Sequence, residues 1–411
     1  MENIVSKQQI NTLTWWQKRC RQILFSILGK LQVGQLQIHE GDQVYRFGHP
    51  SSGDGKPINA VIHINDVEAY SRFVRGGDIG AAEAFIDGLW SSPDLTEVIR
   101  LFAKAQGHMD QIEGRVAWLN KVKNKLFHRR NRNSKQGSKK NILAHYDLGN
   151  ELYTRFLDPS MMYSCAIFSD GNTDLAQAQQ QKLRTICERL ELTTDDHLIE
   201  IGTGWGALAI YAAEHYGCKV TTTTISEQQF KHAQALVKEK GLEQQITLLK
   251  EDYRNLTGQY DKLVSIEMIE AVGYEYMDSF FSQCNALLKP QGKMLIQAIT
   301  IADQRFDYYL ANVDFIQRYI FPGGFLPSIE LMTKKLRQRT SMVLEQLDDI
   351  GLDYAKTLAC WREKFLQNWS QLPQFGYDET FKRLWLYYFA YCEGAFLERS
   401  ISTVHFVAVK R

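Results

Sequence analysis

Residues 198–214 read LIEIGTGWGALAIYAAE. An apolar run carries Glu200 near its end, glycines follow at 202, 204 and 206, and an apolar stretch of helical character starts at about Ala207. The pattern predicts a strand, a tight turn and a helix. Glycine is needed where a chain reverses sharply and a ligand lies directly against backbone N–H groups. The spacing is GxGxG, not the GxGxxG of dinucleotide folds, and no phosphate-cradling Lys-Ser/Thr follows. The last glycine comes one position too early to seat a pyrophosphate on the helix N-terminus. An acidic residue just ahead of such a loop suits a ligand that carries an amino group. A purely structural turn is the plain alternative. The strand before, the helix after and a second strand ending about twenty residues on favour a cofactor.

Outward from this loop, apolar runs alternate with helical segments. Strands are expected at 197–201, 219–224, 246–250, 262–266 and 293–299, with helices at 207–216, 227–240 and 277–288. Such alternation with short connections means βαβ units and a mostly parallel sheet covered on both faces. The final run, 403–409, has no crossover helix after it and is expected as an antiparallel member at or near the sheet edge.

The first part of the chain reads differently. Residues 15–31 have helical character with Lys and Arg among bulky apolar groups, a pattern that can lie in a membrane interface or pack on its own domain. Short strands are expected near 35–38, 43–47 and 60–64, and two short helices at 66–74 and 79–88, separated by Gly76-Gly77. Residues 121–140, KVKNKLFHRRNRNSKQGSKK, hold nine Lys/Arg and no Asp or Glu. They are expected to form a linker between a domain at 1–120 and one at 141–411. Either a solvated hinge or a basic strip on anionic phosphate fits them, the latter at about 1 kcal/mol per cation near such a surface.

Composition narrows the function. The 411 residues suggest two or three domains at roughly 150 residues each. Lys+Arg number 48 against 47 Asp+Glu, a net charge of +1, so no global field attracts nucleic acid. No uncharged apolar stretch is long enough for a transmembrane helix, and the polar N-terminus lacks a signal-peptide core. Seven scattered cysteines without a CxxC pair speak against a disulfide framework and against a cysteine-rich metal site. A cytoplasmic protein is expected.

Further segments carry a resemblance: HYDLGNELY (145–153), MMYSCAIF (161–168), VTTTTISEQQ (220–229), EDYRNL (251–256), SIEMIEAVG (265–273), PGGFLPS (322–328), DYAKTL (353–358) and YYFAYCEGAF (387–396). With the glycine loop, which resembles the S-adenosylmethionine (SAM) motif of Rossmann-like methyltransferases, they are similar to the cyclopropane-fatty-acyl-phospholipid synthase and mycolic acid cyclopropane synthase family. The segment GGDIGAAEAFIDGLW (76–90) also resembles the N-terminal domain of the bacterial phospholipid-acting members. The resemblance implies an α/β fold: a class I methyltransferase domain with a mostly parallel seven-stranded sheet and one antiparallel strand, plus a smaller α+β N-terminal domain. It also implies a homodimer, peripheral at the inner membrane face, that adds a methylene or methyl group from SAM to a cis double bond of phospholipid acyl chains. A cyclopropane ring is the leading product. Methyl- or methylene-branched chains, or a sterol or small-molecule acceptor, are the alternatives.

Such a reaction leaves a carbocation, so the site needs a dry apolar channel, nearby negative or π density, and a base. A desolvated cation over an aromatic face gains about 2 kcal/mol. Residues 306–325 supply Phe306, Tyr308, Tyr309, Phe315, Tyr319, Phe321 and Phe325, expected to form a lipid lid. By resemblance, Tyr146, Tyr163, Ser164, Gly202 and Gly204 lie near the methionine part of SAM. Thr224, Ile225 and Gln229 lie on the turn at its ribose and adenine, and Asp252 and Tyr253 at the adenine edge. Cys165, Glu270, Ile299 and Tyr354, with Tyr388 as the alternative donor, match positions around a bicarbonate ion that serves as base. One position departs from the pattern: the family commonly has His where this chain has Gln297. An amide cannot titrate, and losing one charge-assisted bond weakens an anion site by roughly 1–2 kcal/mol. Methylation of a lipid olefin is therefore firmer than ring closure.

Overall fold

A computed structural model of the chain describes residues 13–49, 57–113 and 150–411. The basic run 121–140 and Tyr146 lie outside the described residues. Two compact units form: the described residues up to 113 together with 373–398, and those from 150 to 372 together with 399–411.

In the first unit, α1 (Trp15–Leu28) starts at Thr14, whose side chain and that of Gln17 cap each other's backbone N–H. It is followed by β1 (Gln35–Glu40), β2 (Gln43–Gly48), β3 (Asn59–Ile64), α2 (Glu68–Ile86), β4 (Trp90–Ser91) and α3 (Leu95–Glu113). The strands form a sheet of order β2-β1-β3-β4. Alternate residues of β1 and β3 are buried, as a half-covered sheet requires. Of the two fates open to α1, packing is observed: Phe25 meets Tyr45, Phe47 and Tyr70, while Arg21 and the Tyr70 hydroxyl both bond Glu40. Trp15 nevertheless stays 78% exposed. The expected break in α2 is at Gly77, where φ is +56°.

The second unit carries a seven-stranded sheet. Its elements, in chain order, are α4 (Asn150–Tyr153), α5 (Leu175–Arg189), β5 (His197–Ile201), α6 (Ala207–Tyr216), β6 (Lys219–Thr223), α7 (Glu227–Glu239), β7 (Ile246–Leu249), β8 (Tyr260–Ile266), α8 (Met277–Leu287), β9 (Leu288–Ile301), α9 (Phe306–Ala311), α10 (Ile329–Arg339), β10 (Met342–Asp349) and α11 (Gly351–Asn368). The helix α12 (Glu379–Leu397) then departs to the first unit, and β11 (Ile401–Lys410) returns. The strand order is β10-β11-β9-β8-β5-β6-β7. Only β11 runs against its neighbours, pairing antiparallel with both β9 and β10. Side chains alternate across it: Phe406 and Ala408 join one apolar core, Val407 the other.

The antiparallel strand is near the edge, as expected, and second from it, because β10, whose polar sequence MVLEQLDD shows no strand alternation, forms the edge itself. One expectation needs correction. The segment 373–398, expected in the catalytic domain, belongs to the first unit. There Arg383 bonds the carbonyls of Phe85 and Trp90, and Gly394 admits Ile99, which a Cβ would meet at 2.8 Å. Among the described residues no helix is long and apolar enough to cross a membrane.

Candidate active site

The chain order reverses beside β5: it proceeds to β6 and β7 on one side, then returns to β8 on the other. Ligands of open α/β sheets bind at such a switch, beyond the C-terminal strand ends. The glycine loop lies there. Gly202, Gly204 and Gly206 have φ of +105°, +53° and +97°, and the N–H groups of Gly202 and Thr203 both donate to the Thr223 carbonyl (3.1 and 2.9 Å). A Cβ at Gly206 would lie 3.1 Å from that of Ala233, and one at Gly202 would lie 3.4 Å from the Met268 side chain. At Gly204 it would meet nothing within 4 Å. Gly206 thus serves close packing, while Gly204 leaves its space to a ligand.

Around this loop the predicted residues differ in their freedom. Glu200 is buried on β5, its carboxyl accepting from Thr222 (2.6 Å), and burial pushes its pKa up to about 8. The Thr224 hydroxyl donates to Gln229 (2.8 Å) and accepts from the Ser226 N–H (3.1 Å), so a neutral network shapes that turn beside half-buried Ile225. Arg254 holds the two carboxylate oxygens of Asp252 at 2.8 and 2.6 Å within the same turn. Tyr253 stands edge-on to Phe280, and its buried hydroxyl has no hydrogen-bond partner among the described residues. Buried Nε1 of Trp205 is likewise unpartnered. Open space at Gly204, unpartnered polar atoms and a turn of neutral side chains fit the nucleoside of SAM.

A second cluster lies at the ends of β8 and β9, and its centre is a residue that the sequence reading missed. Glu267, just past β8, adopts φ +46°, a left-handed backbone that favours glycine. One carboxylate oxygen accepts from the Cys165 N–H (2.8 Å) and from Gln297 Nε2 (2.7 Å); the other accepts from the Tyr354 hydroxyl (2.8 Å). Three of the predicted residues therefore converge on an unpredicted one. Burial raises the Glu267 pKa, opposed by these donors and by Lys182. Tyr388 is not the donor: it lies on α12 in the first unit, against Trp385 and Phe389.

The orientation of Gln297 is fixed from behind. His405 of β11 pairs with Gln297 of β9 across the sheet, and its Nε2 lies 2.9 Å from Gln297 Oε1. Arg189 faces His405 Nδ1 and can only donate, so the imidazole proton is on Nε2 and the Gln297 amide must present its NH2 to Glu267. Burial, Arg189 and Lys182 together hold His405 well below its ordinary pKa. Lys182 was also missed: fully buried on α5, it donates to the Ser164 hydroxyl (2.7 Å), and burial lowers its pKa to about 8.

Glu270 occupies the next turn. Its Oε1 accepts from the Ile299 N–H at 2.5 Å, while Oε2 is buried without a partner among the described residues. Burial, and secondarily the neighbouring Glu267, push it up to about 8. Its carbonyl accepts from the Phe325 N–H (2.9 Å), which fastens the aromatic insert 306–325 to the acidic turn. There Phe306, Tyr309 and Tyr274 surround Phe325, and Tyr163 faces Phe321, while Tyr308 and Tyr319 are exposed. The cysteine thiol plays a different part: it is buried, bonded to the Ala166 carbonyl and raised far above its ordinary pKa by burial.

The residues present do not fit a separate bicarbonate. Its expected donors Cys165 and Tyr354, with Gln297, are already taken by the Glu267 carboxylate, and the Ile299 N–H by Glu270.

Comparison with known proteins agrees with this architecture. The model of the mycolic acid cyclopropane synthetase family matches residues 133–406. The chain is 37% identical over 348 residues to cyclopropane-fatty-acyl-phospholipid synthase of Escherichia coli, covering 83% of this chain and 86% of that one. It is 36% identical over 355 residues to a tuberculostearic acid methyltransferase of Mycobacterium tuberculosis, covering 84% and 82%. A solved mycolic acid cyclopropane synthase complexed with SAH and CTAB superposes with a TM-score of 0.62 at 30% identity, over 66% of this chain and 98% of that one. A seven-stranded sheet with one reversed strand, a glycine loop at its switch point and a family match across two thirds of the sequence lead to one conclusion: the chain belongs to the mycolic acid cyclopropane synthetase family and is a SAM-dependent methyltransferase.

Proposed function

We propose that the protein adds one carbon from SAM to the cis double bond of acyl chains in membrane phospholipid, closing a cyclopropane ring. The observation that carries this reading is the junction of three features: the glycine loop, where a Cβ at Gly202 would meet Met268, the carboxyl pair Glu267 and Glu270 on either side of that residue, and an aromatic insert tied to Glu270. SAM supplies an electrophilic methyl group when bound. The loop at Gly202 and Gly204, the turn at Thr224, Ile225 and Gln229, and Tyr253 would hold it, with Glu200 suited to its amino group.

The other residues meet the needs of an olefin acceptor. Aromatic rings of the insert exclude water and offer π density to a developing cation, a stabilisation of about 2 kcal/mol when desolvated. A carboxylate beside that cation lowers its energy further and can take its proton. The substrate remains in the bilayer, so the protein docks peripherally from the cytoplasm, as a dimer. Exposed Trp15 and Trp16 with Lys18 and Arg19 at the start of α1, and the basic run 121–140, have the chemistry for an anionic surface.

A second reading, an unsaturated methyl-branched product, is favoured by Gln297 in place of the family's usual histidine, because the final proton can leave from the chain instead of the new methyl. Incubation with SAM and liposomes of unsaturated phospholipid should add one CH2 per modified chain by mass spectrometry. With a trideuterated methyl donor, ring closure retains two deuteriums and a chain-derived double bond retains all three. No mass gain on any unsaturated lipid would remove the proposal.

A further inference from the structure

We propose that the side-chain carboxylate of Glu267 is the resident base of this site, taking the place of a dissolved bicarbonate ion. The inference rests on the acyl-chain reading for its substrate, but the anion assignment stands on geometry alone.

Three observations point the same way. The donors expected to cradle a free anion instead close on one side chain: the Cys165 N–H, the Gln297 amide and the Tyr354 hydroxyl, all at 2.7–2.8 Å. Three donors on two oxygens hold the group as a carboxylate: one oxygen carries two of them, and the other, bonded only to Tyr354, keeps a lone pair for a proton. Second, the chain accepts a left-handed backbone at Glu267 to deliver it there. Such a conformation is strained in a residue with a Cβ and persists only where the surroundings enforce it. Third, the departure at Gln297 is matched from behind by His405 and Arg189, which turn its NH2 group toward Glu267. The amide donates at every pH, so the carboxylate keeps this partner throughout. The glutamate and the glutamine are two halves of one substitution of the anion site.

The chemistry balances without a further reactant. The olefin's π pair forms a C–C bond to the transferred carbon as the donor's C–S bond breaks. Glu267 then accepts one proton from the resulting cation, and the C–H electron pair closes either the ring or a new double bond. Glu267 is left protonated and returns its proton to water after product release. No electrons enter or leave, so no reductant is needed.

The test compares the wild type with Glu267→Gly and Glu267→Gln. Glycine suits the left-handed backbone, so the first variant should fold, which thermal melting checks. In bicarbonate-free buffer the wild type should keep full turnover, and both variants should lose about 100-fold or more, the range of a general base. Added bicarbonate should restore turnover in Glu267→Gly, whose cradle is vacated, and not in Glu267→Gln, whose amide still fills it. Independently of any lipid, 13C-labelled bicarbonate should show exchange broadening with Glu267→Gly and none with the wild type. Bicarbonate binding by the wild type, loss of its turnover on bicarbonate removal, or normal turnover of Glu267→Gly would each overturn the proposal. If the wild type modifies no lipid while the labelled ion behaves as described, the acyl-chain reading falls and the anion assignment survives.

Discussion

The two halves of the site are built in different ways. At the ends of β5 and β6, the cradle is mostly backbone: glycines at positive φ, an open space above Gly204, and short neutral side chains bonded to their near neighbours. At the ends of β8, β9 and β11, it is a web of long side chains drawn from distant elements: Glu267, Gln297, Tyr354, His405, Arg189 and Lys182. The first half needs shape, which local sequence encodes. The second needs a charge held in a fixed direction inside the protein, which requires partners from several strands and helices.

This contrast can be broken by substitution. The largest effect is expected at the backbone half: a side chain at Gly204 enters the ligand's space at a φ of +53°. Gly204→Val should weaken SAM binding by about 100-fold or more, roughly 2.7 kcal/mol, measured by calorimetry. Unchanged affinity would show that the space above residue 204 is not the cofactor's.

The web should respond in turnover and not in cofactor affinity. Gln297→Leu takes one partner from each of Glu267 and His405, and losing a buried hydrogen bond to a charged group costs about 1.5–3 kcal/mol. Turnover should therefore fall about 10- to 100-fold while the dissociation constant of SAM stays within about twofold. Tyr354→Phe removes a single donor and should cost about tenfold by the same reasoning. Equal losses of turnover and SAM affinity in either variant would place these residues in the cofactor's half.

The smallest effect is on stability against pH. Glu270 is pushed up to about 8 from its ordinary range near 4.5, so the folded state holds its proton where the unfolded chain has released it. That contribution is full below about 4.5 and is lost as the pH rises through about 8. Lys182, lowered from 10.5 to about 8, acts in the opposite sense and only between those two values. Between pH 5 and 8, Glu270→Gln should therefore flatten the decline of melting temperature expected of the wild type. Parallel curves would mean that Glu270 is not buried as a neutral acid.

The same division explains what the sequence discloses. The glycine loop and the βαβ alternation follow local rules of turn and period, so the strands 197–201, 246–249 and 219–223 were legible to within a residue or two. The edge strand β10 was not, since one polar, largely exposed strand carries no alternation to read. Gln297 announced itself as an irregularity without revealing its cause. Glu267 had one weak local signal, its place directly after an apolar strand. His405 had none, because its link to Gln297 exists only through a strand register between residues 108 positions apart. Helix α12 was assigned to the nearer domain because chain order carries no record of which core a returning helix joins.

The most direct test of the central claim follows the transferred carbon itself. With SAM labelled with 13C at its methyl group and liposomes of unsaturated phospholipid, NMR of the product should show the label bonded to carbons of the former double bond, upfield for a ring or as a methyl group on an olefin for a branched chain. Label on nitrogen or oxygen, or label that never enters the acyl chains, would contradict the account.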